Sequence, residues 1–189
     1  MRKLILHMAI TVDGVAASAE GGPMKGVDYA EEGVWKDIFT ILESVDGMLI
    51  GGSSHKEYLG YWQSVLTNPD ASPNERRFAA IAARTPHFVL SRSLRAVDWP
   101  NATVLSGGVE GIAALKRQPG RDLLLWGGPT VAGAAIEAGL VDELQLVVHP
   151  VVEGRGKKLF AEVATLRSLR QLSSATLQSG IVMLKYACA

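Results

Sequence analysis

"DLLLWGGPTVAGAAIEAGLVDEL", residues 122–144, decides the fold. Leu123 to Trp126 are four large apolar residues in a row. Gly127 and Gly128 follow, then Pro129, Thr130 and an alanine-rich run that ends near Gly139. An apolar run this short and continuous reads as a strand buried on both faces, and Pro-Thr opening an Ala-rich segment reads as a helix start. Glycine at the join contributes no packing and is costly in backbone entropy. Either the turn needs its freedom or something must come close to the main chain.

The same junction occurs three times: "GMLIGGSS" at 47–54, "TVLSGGVE" at 103–110 and "LLLWGGPT" at 123–130. Each passes from an apolar strand through Gly-Gly into a helix. Working outward, "KLILHMAIT" reads as a buried first strand, "ASAEGGPMKG" as a glycine-rich loop and "YAEEGVWKDIFTILESV" as a helix with Val34, Ile38, Ile41 and Leu42 on one face. "DGMLIGG", "HFVLS", "WPNATVLSGG", "DLLLWGG" and "DELQLVVHPVV" read as strands or as turns leading into them. "NERRFAAIAART", "VEGIAALKRQPG" and "PTVAGAAIEAGL" read as helices, and the closing "RQLSSATLQSGIVMLKYA" as two strands turning at Ser179-Gly180. Alternating strands and helices with apolar strands predict an α/β domain over 1–189, with a mostly parallel sheet covered on both faces and an antiparallel hairpin at one edge.

The bulk properties narrow the function. The chain has 189 residues, 48% of them hydrophobic, with 19 basic residues balancing 19 acidic ones, which argues against a general pull toward nucleic acid or an anionic membrane. The single cysteine excludes an intrachain disulfide and fits a reducing, cytoplasmic setting. The basic N-terminus is followed by an apolar run too short for a membrane span and broken at His7, Thr11 and Asp13, so it reads as a strand and not a leader. His7, His55, His87 and His149 show no metal-ligand spacing, and no metal is expected.

In an open parallel sheet the Gly-Gly junctions lie at the carboxyl ends of the strands, where ligands bind, and the helix starts offer unpaired N–H groups to a phosphate. Neither G-x-x-x-x-G-K-[ST] nor a clean G-x-G-x-x-G is present. The residues alone therefore point to a phosphate-bearing ligand, its binding mode open.

The chain resembles the dihydrofolate reductase-fold superfamily, and within it the small bacterial proteins similar to the C-terminal reductase domain of riboflavin biosynthesis. The resemblance rests on "AITVDG" at 9–14, "GYW" at 60–62, "HFVLSRSL" at 87–94, "WPNATVL" at 99–105, the stretch from Leu123 to Phe160, and the closing hairpin. It implies a three-layer sandwich and NADP(H) across the strand ends. It also implies hydride transfer to a small, heterocyclic substrate and a homodimer. The competing implications are reduction of 5-amino-6-(5-phosphoribosylamino)uracil in the riboflavin pathway, and NADP(H) binding without turnover.

Residue by residue, the resemblance places the pyrophosphate beside Gly127 and Gly128, with Pro129, Thr130 and Val131 opening the helix and Trp126 near the nicotinamide. Gly107, in the middle junction, joins the same rim. Ser91, Arg92 and Ser93 match the segment that holds the adenosine 2′-phosphate, a task suited to an arginine fork. Ala9 and Ile10 match the backbone that touches the carboxamide. Gly51, Gly52, Ser53 and Ser54 match the segment after the second strand, where relatives carry Gly-Arg and then threonine. Gly52 stands in place of that arginine, so one phosphate contact is lost or is supplied by Ser54 or Lys56. Asp13, in "TVDG", either orients a substrate and relays a proton or simply makes an Asp-Gly turn. Glu32 and Trp35 are the other substrate-side candidates. The acid on the first helix that binds the pterin ring in dihydrofolate reductase has no unique match among Asp28, Glu31 and Glu32.

Overall fold

The apolar strands assemble side by side. In the computed structural model, which describes residues 1–27, 29–99 and 101–188, ten strands and five helices follow one another along the chain. Asp28 and Pro100 lie outside the described residues. The strands are β1 (Leu4–Thr11), β2 (Val15–Ala17), β3 (Val45–Gly51), β4 (His87–Leu90), β5 (Ala102–Leu105), β6 (Asp122–Gly127), β7 (Glu143–His149), β8 (Lys157–Lys158), β9 (Leu169–Thr176) and β10 (Val182–Cys188). The helices are α1 (Glu32–Ser44), α2 (His55–Val65), α3 (Pro73–Arg84), α4 (Val109–Lys116) and α5 (Pro129–Glu137).

Eight strands form one sheet in the order β5-β4-β3-β6-β1-β7-β10-β9. From β5 to β7 every neighbouring pair is parallel, and β10 and β9 join antiparallel. The expected α/β sandwich with its terminal hairpin is thus the observed one. The remaining two strands, β2 and β8, pair separately beyond the end of β1.

Side-chain alternation divides the core. Ile5, Met48, Ile50, Leu124 and Val147 face α1, α2 and α3, where Trp35, Phe39, Trp62 and Phe78 form an aromatic cluster. Leu4, Leu6, Leu49, Leu123, Leu125 and Leu144 face the other way, onto Ile112 and Leu115 of α4 and Ala132, Ala135 and Ile136 of α5. Burial of both faces explains why these strands read as continuous apolar runs. Since β5, β4, β3, β6, β1 and β7 run the same way, their carboxyl ends share one edge, and that edge carries all three Gly-Gly junctions.

Candidate functional site

The glycines answer to different forces. Gly128 has φ +90°, and a Cβ there would stand 3.2 Å from Gly51 Cα and 3.4 Å from Gly51 N. Gly51 in turn would meet Gly128 Cα at 3.4 Å. These two glycines let the ends of neighbouring strands β3 and β6 touch. Gly52 is equally constrained: a Cβ would come within 2.8 Å of both Leu90 O and Ser91 Cβ, and its N–H donates to Leu90 O at 2.8 Å. That contact with the end of β4 gives a packing reason for a glycine at the position where the resemblance led one to expect arginine. Gly107 is in the left-handed region at φ +96°.

Gly127 has neither reason. Its φ is not positive, and a Cβ built on it meets nothing within 4 Å. A half-buried glycine closing a central strand, with open space where its side chain would project, is a cradle that any larger residue would fill. Beside it α5 begins, with Gly128 as N-cap and no side-chain cap. The starts of α2 at Ser54 and α4 at Gly108 are likewise uncapped by side chains, whereas α3, which follows a helix and not a strand, carries a complete Ser72–Glu75 capping box. The first N–H groups of a helix have no intrahelical partner. Where the starts of α5 and α2 meet, at Gly128 and Ser54, they are left available together with the positive dipole ends, a donor set that fits a pyrophosphate.

Pro129 is buried, Thr130 exposed and Val131 partly buried at the start of α5. Ser53 is exposed, and Ser54 Oγ lies 3.9 Å from where a Gly128 Cβ would stand. At the end of β4, Ser91 Oγ accepts from the N–H groups of Ser93 (3.3 Å) and Leu94 (3.1 Å), a turn that presents Arg92 on the rim. Arg92 is exposed and makes no hydrogen bond or ion pair among the described residues. Ala9 is partly exposed and Ile10 buried, on opposite faces of β1.

Trp126 sits at an irregularity. Leu49 pairs with Leu125 and Ile50 with Gly127, so Trp126 is the extra residue of β6. A bulge re-aims its side chain. The indole stacks on His7, with centroids 5.4 Å apart and planes 9° from parallel, and tilts against Phe78 at 5.1 Å.

Behind that stack runs a polar row absent from the sequence reading. His7 of β1 is in register with Gln145 of β7, which is in register with Lys185 of β10. Asp37 reaches down from α1: Lys185 Nζ donates to its Oδ1, and its Oδ2 lies 4.0 Å from His7 Nε2. Gln145 Nε2 donates to Glu143 Oε1 at 2.5 Å. Among the described residues, His7 Nε2 and Gln145 Oε1 are buried without a hydrogen-bond partner. Burial pushes the His7 pKa down to about 4, against the attraction of Asp37, so the ring is neutral near pH 7. Each strand shows this row as one polar residue inside an apolar run. Only the register puts the three together.

The substrate-side candidates separate. Trp35 is buried among Phe39, Trp62 and Phe78, so it belongs to the core, which is a correction to its expected place. Glu32 is exposed and accepts from Asn74 Nδ2 at 2.7 Å, tying α1 to α3. Glu31 is the uncapped N-cap of α1. The acid of α1 turned toward the sheet is Asp37. Asp13 Oδ1 accepts from Thr11 Oγ1 (2.7 Å) and Glu153 N (3.1 Å), and Oδ2 from Gly154 N (2.9 Å). The Thr11 hydroxyl first, then the backbone N–H groups, hold its pKa below the usual carboxylate range. In this arrangement Asp13 fastens the loop after β7 to the end of β1.

Among the described residues no group of three or more histidine, cysteine, aspartate or glutamate side chains could hold a metal. No helix among them is long and apolar enough to cross a membrane.

Comparison with known proteins identifies the family and the fold. The family model of the RibD C-terminal domain matches residues 2–183. An uncharacterised protein of Bacillus subtilis (strain 168), YyaP, is 29% identical over 185 residues, covering 98% of this chain and 94% of that protein. The crystal structure of a putative riboflavin biosynthesis protein from Shewanella sp. PV-4 matches with TM-score 0.73 and 20% identity, covering 99% of each chain. Dihydrofolate reductase from Enterococcus faecalis, complexed with NADP(H) and RAB-propyl, matches with TM-score 0.63 and 17% identity, covering 98% of this chain and 96% of that one.

Proposed function

The chain belongs to the RibD C-terminal domain family, and on that premise we propose that it is an NADPH-dependent reductase transferring hydride to a C=N or C=O bond of a small heterocycle of pyrimidine or pteridine type. The observation that carries this reading is the open floor at Gly127, beside the uncapped starts of α2 and α5. Gly127, Gly128 and the N–H groups of Thr130 and Val131 would hold the pyrophosphate. Arg92, with Ser91 and Ser93, would hold the 2′-phosphate, and Ala9 and Trp126 would flank the nicotinamide. Bound there, the dihydronicotinamide supplies the hydride. What remains for the protein is to hold the acceptor in contact and exclude water, so no protein nucleophile is needed.

On the substrate side, Asp37 offers a carboxylate oxygen to an N–H edge, with Lys185 fixing the carboxylate through its other oxygen. His7 keeps the Trp126 ring in place by stacking. A second reading, reduction of a phosphoribosylamino-pyrimidine as in riboflavin synthesis, draws support from exposed cations beyond the end of β1. Lys157 Nζ stands 3.1 Å from where a Gly21 Cβ would be, and Lys25, Arg155 and Lys158 lie on the same two segments, a setting for a ribose phosphate. Assembly belongs to the same proposal. All eight residues of β9 are exposed although it forms one edge of the sheet, and a long unprotected edge strand invites pairing. A homodimer through this edge should appear in light scattering as twice the chain mass at micromolar concentration.

The deciding experiment is calorimetric titration with NADPH, followed by NADPH oxidation with reducible pyrimidines and pteridines. Saturable binding at one site per chain with turnover is expected. Binding without turnover on any of them would favour a non-catalytic NADP(H)-binding role, and no binding would remove the reading.

A further inference from the structure

A concavity lies at the opposite, amino-terminal edge of the sheet, away from every Gly-Gly junction. A cavity of about 530 Å³ opens between α1, α3 and the starts of β3, β4 and β6. Its floor is apolar, made by Phe39, Leu42, Val45 and Ile81, and three guanidinium groups border it, those of Arg77, Arg84 and Arg121. Its acids are Glu43 and Asp46, but Asp46 is already engaged by the Arg2 guanidinium and by the Arg121 N–H at 2.8 Å. Positive charge is therefore in excess. Arg84 makes no hydrogen bond or ion pair among the described residues.

Ordinary helix-end chemistry accounts for part of this. Arg121 Nη1 donates to Glu43 O at 2.9 Å, completing the end of α1, and Arg84 stands in the last turn of α3, where a cation suits the dipole. It does not account for Arg77, two turns before the end of α3. Arg77 is carried across the Phe39 ring, with Cζ 3.8 Å from the centroid. That cation–π contact holds the planar guanidinium on the apolar floor, where it lines the groove.

We propose that this groove is a second binding site, independent of the carboxyl edge, for a small planar ring carrying a phosphate. The ring stacks on the Arg77 guanidinium over Phe39 and Ile81, and the phosphate meets Arg84 and Arg121, whose planar forks match its oxygens. Charge alone or a ring alone satisfies half of this surface, so a ligand with both binds more tightly than either part.

The test uses the isotope-labelled full chain, with amide shifts followed by NMR during titration with AMP, adenosine and inorganic phosphate, each with and without NADPH. AMP is expected to give saturable shifts at the amides of Asp46, Arg84, Thr85 and Arg121 that NADPH leaves in place, with adenosine and phosphate at least about tenfold weaker. Arg84→Ala and Arg77→Ala should each weaken AMP about tenfold, with circular dichroism verifying the fold. Arg84→Lys, which keeps the charge and loses the fork, should fall between. Absence of saturable shifts at these amides, or equal AMP affinity in wild type and both alanine variants, would overturn the proposal. AMP shifts confined to the surroundings of Gly51, Arg92 and Gly128 would overturn it while supporting the cofactor reading. Groove shifts that persist with NADPH present would support it, and groove shifts that NADPH abolishes would overturn the independence of the site.

Discussion

Gly127 and Gly128 are neighbours in sequence but should respond oppositely to substitution, and the contrast tests whether the open floor serves a ligand. Gly127→Val places its Cβ in space where no atom lies within 4 Å and directs two methyls outward from it. Removing a glycine from a strand reduces unfolded-state entropy, so stability should hold or rise by roughly 0.5–1 kcal/mol, a Tm change of at most about +4 °C for a chain of this size. Gly128→Ala, in contrast, forces a side chain into φ +90°, with Cβ 3.2 Å from the Gly51 backbone. The left-handed backbone alone costs about 1–2 kcal/mol, and the contact adds to it because both partners are main chain. A Tm fall of roughly 4–8 °C is expected. For cofactor the order reverses. If pyrophosphate rests on Gly127, the valine displaces it and about two charge-assisted hydrogen bonds are lost, at roughly 1.5 kcal/mol each. NADPH affinity then falls about a hundredfold. Thermal unfolding and calorimetry on both variants read the two effects separately. A Gly127→Val protein that binds NADPH within about threefold of wild type would refute the placement of the pyrophosphate.

Four further outcomes follow from the same geometry. Arg92→Ala should weaken NADPH about tenfold at low salt and leave NADH unchanged, in parallel titrations; an exposed guanidinium is screened, so the difference should shrink as salt rises. Trp126 emission should be quenched by bound NADPH, and the quench should vanish in Trp126→Phe; persistence of the full signal would assign it to another tryptophan. Burial lowers the His87 pKa to about 4, below its unfolded value near 6.5. The unfolded chain therefore gains the proton first, and stability is full above about pH 6.5 and falls between pH 6.5 and 4. The loss is roughly 3 kcal/mol for this group, and urea unfolding of wild type and His87→Gln across that range should show a shallower slope in the variant. Asp37→Asn should raise KM for the heterocyclic substrate while NADPH affinity stays within about twofold, which separate titration and steady-state kinetics will show.

The frame of this fold was legible because its strands are buried on both faces, and "KLILHMAIT", "DLLLWGG" and "DELQLVVHPVV" carry that burial as uninterrupted apolar runs. What stayed hidden depends on register or on distant contact. The extent of α2 was obscured because its buried stripe begins with His55 and the helix carries Gly60 on its exposed face. The two-residue β8 has no pattern to read. His7, Gln145 and Lys185 are isolated polar residues in three separate strands, and nothing local says that they face one another under Asp37. Gly52 reads as a lost arginine until the end of β4 is seen 2.8 Å away from its missing Cβ. Trp35 reads as a substrate contact because it lies near the start of α1, but the helix turns it toward Phe78.

The two carboxylates near the proposed reaction differ in what they have left to offer. An ionised carboxylate can accept about four hydrogen bonds. Asp13 already accepts three, from Thr11, Glu153 and Gly154, and they stabilise its charged form, so it both resists protonation and would release the loop after β7 if it moved. A general acid needs the opposite, a proton held near working pH and free to leave. Asp37 accepts from Lys185 through Oδ1, while Oδ2 makes no hydrogen bond among the described residues. Donor accounting therefore favours Asp37 for the substrate and the turn for Asp13. Asp13→Asn should accordingly loosen the segment from Val151 to Gly154, seen as faster amide exchange at Glu153 and Gly154, with kcat changing only as far as that loop is disturbed. A loss of kcat of a hundredfold or more with exchange unchanged would return Asp13 to the chemistry.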